Sequence, residues 1–129
     1  MNARTDLDLV HHWCAMAAQA ASDKKASAVV ILDVGEVLAI TDSFVIASAS
    51  NDRQVRTIVD EIEAKVKESG GPSPLRVEGK REAQWVLMDY GDFVVHVFLE
   101  EVRAYYDLER LWSDAPRVPW EHQAVAAGQ

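Results

Sequence analysis

Residues 85–98 read WVLMDYGDFVVHVF, two runs of β-branched, aliphatic and aromatic residues separated by a short polar break. Such runs are typical of strands, and Asp and Gly are residue types that tight turns favour. We expect Asp89 at the first turn position and a positive φ at Gly91. The stretch therefore predicts a β-hairpin that carries Asp89, Tyr90 and Asp92 at a solvent-exposed tip.

Asp89, Asp92 and His96 also raise the hypothesis of an acid/base site, because carboxylates and histidine are common catalytic groups. Carboxylates at an exposed tip keep ordinary pKa values and make poor general acids. His96 is in phase with Val94 and Phe98, which is typical of a hydrogen-bonded core residue. Neither a nucleophile nor a phosphate-binding loop accompanies the three residues. We expect no catalysis, and an enzyme that uses them is the alternative.

The preceding chain predicts two helices and three strands. Thr5 can cap a first helix, and Asn51 with Gln54 forms a capping-box pattern at the start of a second. AVVILDV (28–34) and SFVIASA (43–49) are continuous apolar runs, which predict buried central strands. PLRVEG (74–79) predicts a short edge strand because prolines precede it.

The last structured region, EEVRAYYDLERLW (100–112), has irregular apolar spacing, which predicts two short helices with Asp107 capping the second. Residues 114–129 carry Pro116 and Pro119 and predict a mobile tail in which Trp120 is incidental. Residues 1–113 are then a single α/β domain, a mixed sheet of about five strands covered by helices.

The net charge of this 129-residue chain is −8. Residues 78–114 hold nine acidic and four basic residues, so more than half of the excess negative charge lies there. Such a field repels nucleic acid and anionic membranes, and its natural complement is a basic protein. Plain solubility is the alternative explanation for the acidic surface.

The sequence indicates a cytoplasmic protein without cofactor or metal. The N-terminal stretch is acidic where a signal peptide is basic and apolar, and no apolar run reaches the roughly 20 residues of a membrane span. Cys14 is the only cysteine, which fits a reducing compartment. His11 and Cys14 lie one helical turn apart without further ligands. The glycines form neither a Walker loop nor a dinucleotide fingerprint.

Five sequence blocks occur together in this chain. They are ITDSFVIAS (40–48), DRQV (52–55), RVEG (76–79), WVLMDYGDFVVHVF (85–98) and R-x-YYDLERLW (103–112). In this order they resemble the ribosomal silencing factor family, also called Iojap. The resemblance covers residues from about 28 to 113 with a compatible first helix before them. One departure is Ala49, which stands where the family often has glycine.

The resemblance implies a nucleotidyltransferase-like fold without nucleotidyltransferase activity. It further implies binding to ribosomal protein L14 of the large subunit, which blocks joining of the small subunit and represses translation when nutrients are scarce. Family members can form a homodimer off the ribosome. The alternatives are a nucleotidyltransferase-type enzyme using Asp89, Asp92 and His96, or a homodimeric adaptor for another basic protein.

The aromatic residues of the acidic C-terminal half can fill the core or anchor an interface, since Trp and Tyr are common hot-spot residues. For any single aromatic residue we expect a core position over an interface position. Tyr90 is the exception, because a residue at the hairpin tip has little core to enter. The family blocks and this chemistry together predict the following partner-binding residues: Trp85, Tyr90, Asp92, Tyr105, Tyr106, Asp107 and Trp112.

Overall fold

A computed structural model describes residues 7–35 and 40–121. The predicted cap Thr5 lies outside the described residues. In chain order the elements are α1 (Leu7–Asp23), β1 (Ser27–Asp33), β2 (Ser43–Ala49), α2 (Asp52–Glu68), β3 (Arg76–Glu78), β4 (Trp85–Asp89), β5 (Phe93–Leu99), α3 (Glu100–Tyr106) and α4 (Leu108–Leu111).

The five strands form one mixed sheet in the order β1-β2-β5-β4-β3, which confirms the predicted fold class. The central pair, β2 and β5, is parallel, from Ser43 opposite Phe93 to Ala49 opposite Leu99. All other neighbours are antiparallel. Every residue of β2 is buried, as its apolar run predicts, and β3 is an edge strand, also as predicted.

Helices α1 and α2 cover one face of the sheet and bury the larger core. The Asn51 side chain accepts a hydrogen bond from the backbone N–H of Gln54 at 2.8 Å, which confirms the predicted cap of α2. The Gln54 side chain accepts from Ser50 and donates to the carbonyls of Lys24 and Lys25. One glutamine therefore joins the start of α2 to the end of α1.

The β4–β5 turn has the geometry that its sequence predicts. Gly91 has a φ of 84°, and its N–H donates to Asp89 Oδ1 at 2.8 Å. The prediction of an exposed Tyr90 is wrong, because only 5% of that residue is accessible. Its ring stacks on Phe93 with centroids 4.4 Å apart, inside the core beneath the helices. The turn therefore directs the Tyr90 side chain into the core between the sheet and the helices.

The chain after α4 lies along β1. Pro116 O accepts from Asp33 N–H at 2.8 Å, and Val118 N–H donates to Ile31 O at 2.9 Å. Trp120 is buried, and its Nε1–H donates to Val29 O at 3.2 Å. In residues 114–121 these contacts differ from the predicted mobile tail with an incidental Trp120. Residues 122–129 of that prediction lie outside the described residues.

The tail also explains why β1 differs from the predicted central strand. β1 is at the edge of the sheet, and five of its seven residues are incompletely buried. The aliphatic run is found in an edge strand because the tail covers the free edge of β1.

On the opposite face of the sheet, a partly buried ion pair joins α3 to α4. Arg103 is 8% exposed, and its Nε and Nη2 donate to the two carboxylate oxygens of Glu109, each at 2.9 Å. Its Nη1 donates to Ser48 Oγ of β2 at 2.6 Å. Asp107, between the helices, has φ 49° and ψ 50° and makes no capping hydrogen bond with its side chain, contrary to prediction. The guanidinium thus ties both helices to the central strand.

Trp120→Ala should lower the free energy of unfolding by about 3 kcal/mol, because it removes a large buried side chain. Trp120→Phe, which keeps most of the packing and loses the hydrogen bond to Val29, should cost about 1 kcal/mol. Urea titrations of both variants measure these costs. If Trp120→Ala unfolds at the wild-type urea concentration, the tail does not stabilise the domain.

Glu109→Gln should destabilise the protein by roughly 2 kcal/mol at pH 7, because a charge-assisted pair is lost. The hydrogen bond from Arg103 holds the pKa of Glu109 below its ordinary value. The pair therefore stabilises the fold at pH values above the ordinary Glu pKa, and this contribution is lost as the pH falls through the lowered one.

Thermal unfolding of the wild type and of Glu109→Gln should consequently converge under acid conditions. Glu101→Gln, on the exposed part of α3, is the matched control and should leave the melting temperature unchanged at pH 7. A gap between wild type and Glu109→Gln that stays constant down to acid pH would contradict the assigned pairing.

Candidate docking face

The half of the second sheet face that α3 and α4 leave open carries an apolar surface. Residues directly opposite one another on neighbouring strands share a face. Leu87 of β4 lies opposite His96 of β5, and Val94 lies opposite both Asp89 and Phe44. Leu87 and Val94 are partly exposed although both are aliphatic. We call this surface, together with the aromatic residues at its border, the open face.

Aromatic side chains border the open face where α3 ends. Trp85 packs on Phe98 and on Tyr106, each with ring centroids 4.9 Å apart. Tyr105 meets Tyr106 edge to face at 5.1 Å. Tyr105 is 82% exposed and Tyr106 52% exposed, so both rings are displayed to solvent. Large aromatics that are preordered and exposed are suited to protein recognition.

His96 lies beneath this surface and is 4% exposed. Trp85 Nε1–H donates to His96 Nδ1 at 3.1 Å, and the Phe44 ring packs edge to face on the imidazole at 4.8 Å. Burial lowers the pKa of His96 to about 4, so the ring is neutral at pH 7. It is the hydrogen-bonded strand residue that its sequence context predicts.

A cavity of about 360 Å³ opens beside His96 on the open face. Exposed Ile40 and Leu75 flank it, and Arg76 at its rim pairs with Asp89 at 3.3 Å. The remaining lining residues are Thr41, Phe44, Leu87, Gly91, Val94 and His96. Sequence reasoning missed Thr41, Ile40 and Leu75, although Ile40 and Thr41 begin the ITDSF block.

The three residues of the catalytic alternative have separate roles in the described structure. Asp89 closes the hairpin turn and pairs with Arg76. Asp92 is in the turn, where its carbonyl accepts from Asp42 N–H at 2.9 Å, and it does not line the cavity. His96 is neutral and buried. Neither carboxylate is hydrogen-bonded to His96 in the described structure, so the three residues do not form an acid/base pair.

The predicted partner-binding residues divide into three groups. Trp85, Tyr105 and Tyr106 are adjacent, and Asp107 follows directly in the turn after α3. Trp112 is partly buried and packs edge to face on Phe44 at 5.6 Å. Asp92 and Tyr90 lie at the far hairpin turn, where Tyr90 points to the core on the other side of the sheet.

Within residues 7–35 and 40–121, no three His, Cys, Asp or Glu side chains come together to hold a metal ion. No helix in this described part is long and apolar enough to cross a membrane.

The sequence and the structure are similar to those of known proteins. The family described as "Ribosomal silencing factor during starvation" matches residues 10–129. The chain is 45% identical to the ribosomal silencing factor RsfS of Halalkalibacterium halodurans over 82% of this chain and 90% of that one. A crystal structure of a Chromobacterium violaceum protein superposes with a TM-score of 0.77 and 34% identity, over 81% of this chain and 86% of that one.

A more distant relative is the mouse protein named "Mitochondrial assembly of ribosomal large subunit protein 1". It is 32% identical over 64% of this chain and 37% of its own length. The family match extends over almost the whole chain, including the tail that shields β1, and the fold and sequence similarities agree with it. The chain therefore belongs to the ribosomal silencing factor family.

Proposed function

We propose that this protein is a ribosomal silencing factor that binds ribosomal protein L14 and sterically blocks joining of the small subunit. Translation is thereby repressed under nutrient limitation, on cytoplasmic ribosomes. The observation that carries the proposal is the family match over residues 10–129. A mouse relative named for assembly of the large subunit supports a large-subunit partner.

The physical properties of the open face support a protein partner. Exposed Tyr105 and Tyr106, partly exposed Trp85 and the neighbouring aliphatic residues form an apolar surface on a rigid sheet. Contiguous apolar surface of this kind is typical of interaction sites. The net charge of −8 favours encounter with a basic ribosomal protein over direct contact with RNA.

Within this proposal, contact is made by Trp85, Tyr105 and Tyr106 at the centre and by Asp107 beside them. Trp112 and Asp92 complete the proposed set at its periphery. The role of Tyr90 changes, because a ring buried under the helices supports the hairpin from behind. The presence of Tyr90 in the family block at residues 85–98 is then explained by its place in the fold and not by contact with the partner.

Silencing by steric exclusion requires occupancy alone. A compact chain of this size has a radius of gyration of roughly 14 Å, large enough to keep two subunit surfaces apart when bound between them. No chemical step is needed, so the activity should follow the fraction of large subunits occupied.

Purified protein should sediment with isolated large ribosomal subunits and should reduce the yield of 70S particles when small subunits are added. Sucrose-gradient profiles over a range of protein concentrations measure both effects, with small subunits alone as the control. Protein that stays at the top of the gradient while 70S particles form normally would refute the proposal.

Tyr105→Ala and Tyr106→Ala should each weaken large-subunit binding by more than about 1 kcal/mol, because both remove an exposed aromatic anchor. Their melting temperatures should stay close to the wild-type value, since Tyr105 in particular buries little surface. Equilibrium binding to labelled large subunits and thermal unfolding measure the two effects separately.

Tyr90 provides the matched contrast. Tyr90→Ala should cost about 3 kcal/mol of stability, because it empties a buried aromatic site. Tyr90→Phe keeps the stacking on Phe93 and removes a hydroxyl without a hydrogen-bond partner in the described structure, so it should retain both stability and binding. Weak binding by a fully stable Tyr90→Phe would show that Tyr90 contacts the partner after all.

A further inference from the structure

The indole of Trp85 is supported by a neighbouring strand on one side only. Trp85 lies opposite Phe98 of β5, whereas β3 pairs with residues 87–89 of β4 and does not extend as far as Trp85. On the β3 side there is an open depression of about 270 Å³ instead, which Trp85 lines together with Glu78, Gly79 and Leu87. The partly exposed indole therefore has room to turn away from β5 unless a directional contact holds it.

A hydrogen bond to His96 supplies this directional contact. Trp85 Nε1–H donates to His96 Nδ1 at 3.1 Å, along the diagonal between β4 and β5. The indole has a single donor, so one acceptor is enough to determine which edge of the ring faces β5. Ring packing on Phe98 is less directional, because aromatic pairs are stable in several orientations.

His96 is itself held in place from two sides and does not reach the surface. The Phe44 ring packs edge to face on the imidazole at 4.8 Å, and the Phe98 ring lies nearly parallel to it at 6.1 Å. Because burial lowers the pKa of His96 to about 4, the ring is neutral at pH 7 and Nδ1 remains an acceptor. His96 is 4% exposed, so it offers a fixed acceptor and is too buried to contact a partner.

The orientation of the indole in turn affects the two exposed tyrosines. Tyr106 packs on Trp85 with centroids 4.9 Å apart, and Tyr105 packs on Tyr106. An indole turned toward β3 would leave Tyr106 without this contact. Side chains that are not ordered before association lose conformational entropy when they bind, which weakens the complex.

We propose that His96 is a positioning residue of the open face, which holds the Trp85 indole in the orientation that the large-subunit partner binds. The inference rests on the proposed function, because the partner is the one in the proposed complex. His96 acts on binding through Trp85 alone and makes no contact with the partner.

The first test uses the isolated protein. Each of its four tryptophans gives one indole N–H signal in a ¹H–¹⁵N spectrum, and the signal missing from Trp85→Phe is that of Trp85. His96→Leu has a similar volume and no acceptor, so it should move the Trp85 signal to higher field and speed its exchange with water. His96→Gln, whose amide oxygen can accept, should keep the signal close to its wild-type position.

Trp120 provides the internal control in the same spectra. Its Nε1–H donates to Val29 O, away from the open face, so its signal should not move in either His96 variant. An unchanged Trp85 signal in a folded His96→Leu variant would overturn the inference, because the indole would then be oriented without His96.

The second test is a double-mutant cycle measured by equilibrium binding to purified large subunits. His96→Leu should weaken binding about fivefold in otherwise wild-type protein and less than about twofold in Trp85→Phe, which has no indole N–H to hold. His96→Gln should bind within about twofold of wild type. Thermal unfolding shows that each variant is folded, and His96→Phe replaces His96→Leu in the cycle if the leucine variant does not fold.

The outcomes of the cycle separate the two proposals. Equal weakening by His96→Leu in both backgrounds would overturn the inference, because His96 would then act independently of Trp85. Wild-type affinity of a folded His96→Leu variant would also overturn it and would leave the proposed function intact. Failure of the wild-type protein to bind large subunits would refute the proposed function and the inference with it.

Discussion

The Arg103 guanidinium is the constraint that determines which part of the second sheet face is covered. Helices of seven and four residues are too short to persist alone, and here one cation joins both to the sheet. Its planar fork meets both oxygens of Glu109 while a third nitrogen reaches Ser48 on β2. A lysine has a single ammonium and could not make this set of bonds. Together with the packing of Val102, Leu108 and Trp112 on this side of the sheet, these bonds tie α3 and α4 to one part of the face and leave the rest of it open.

That fixed position explains how the protein can present aromatic surface without losing stability. Tyr106 packs against Trp85, and Trp85 packs against Phe98, so each more exposed ring contacts a more buried one. A ring ordered before binding loses little conformational entropy when a partner arrives. In the proposed complex, the acidic charge would act at longer range, through the rate of encounter, while the apolar contacts would determine how long the complex lasts.

Local patterns in the sequence were enough to predict the central strand β2, the Asn51 cap and the Gly91 turn, because each depends on residues a few positions apart. The errors concern contacts between distant segments. Tyr90 reads as a solvent-exposed tip residue, yet the turn directs it onto Phe93. Trp120 reads as part of a mobile tail, yet it donates to Val29 across the chain. Among the predicted contact residues, Trp85, Tyr105 and Tyr106 are adjacent in the structure. The cavity beside His96 was not predicted, because its lining residues come from separate segments that meet only when β2, β4 and β5 align.

The open face leaves aliphatic as well as aromatic side chains accessible: Ile40 and Leu75, which flank the cavity, are 82% and 75% exposed. Removal of such surface from water on association favours a partner with an apolar patch of complementary shape. The acidic charge cannot supply that selectivity, because any basic surface satisfies it. Charge and apolar contact therefore act on different parts of recognition, and the apolar contact is the part that discriminates between basic partners.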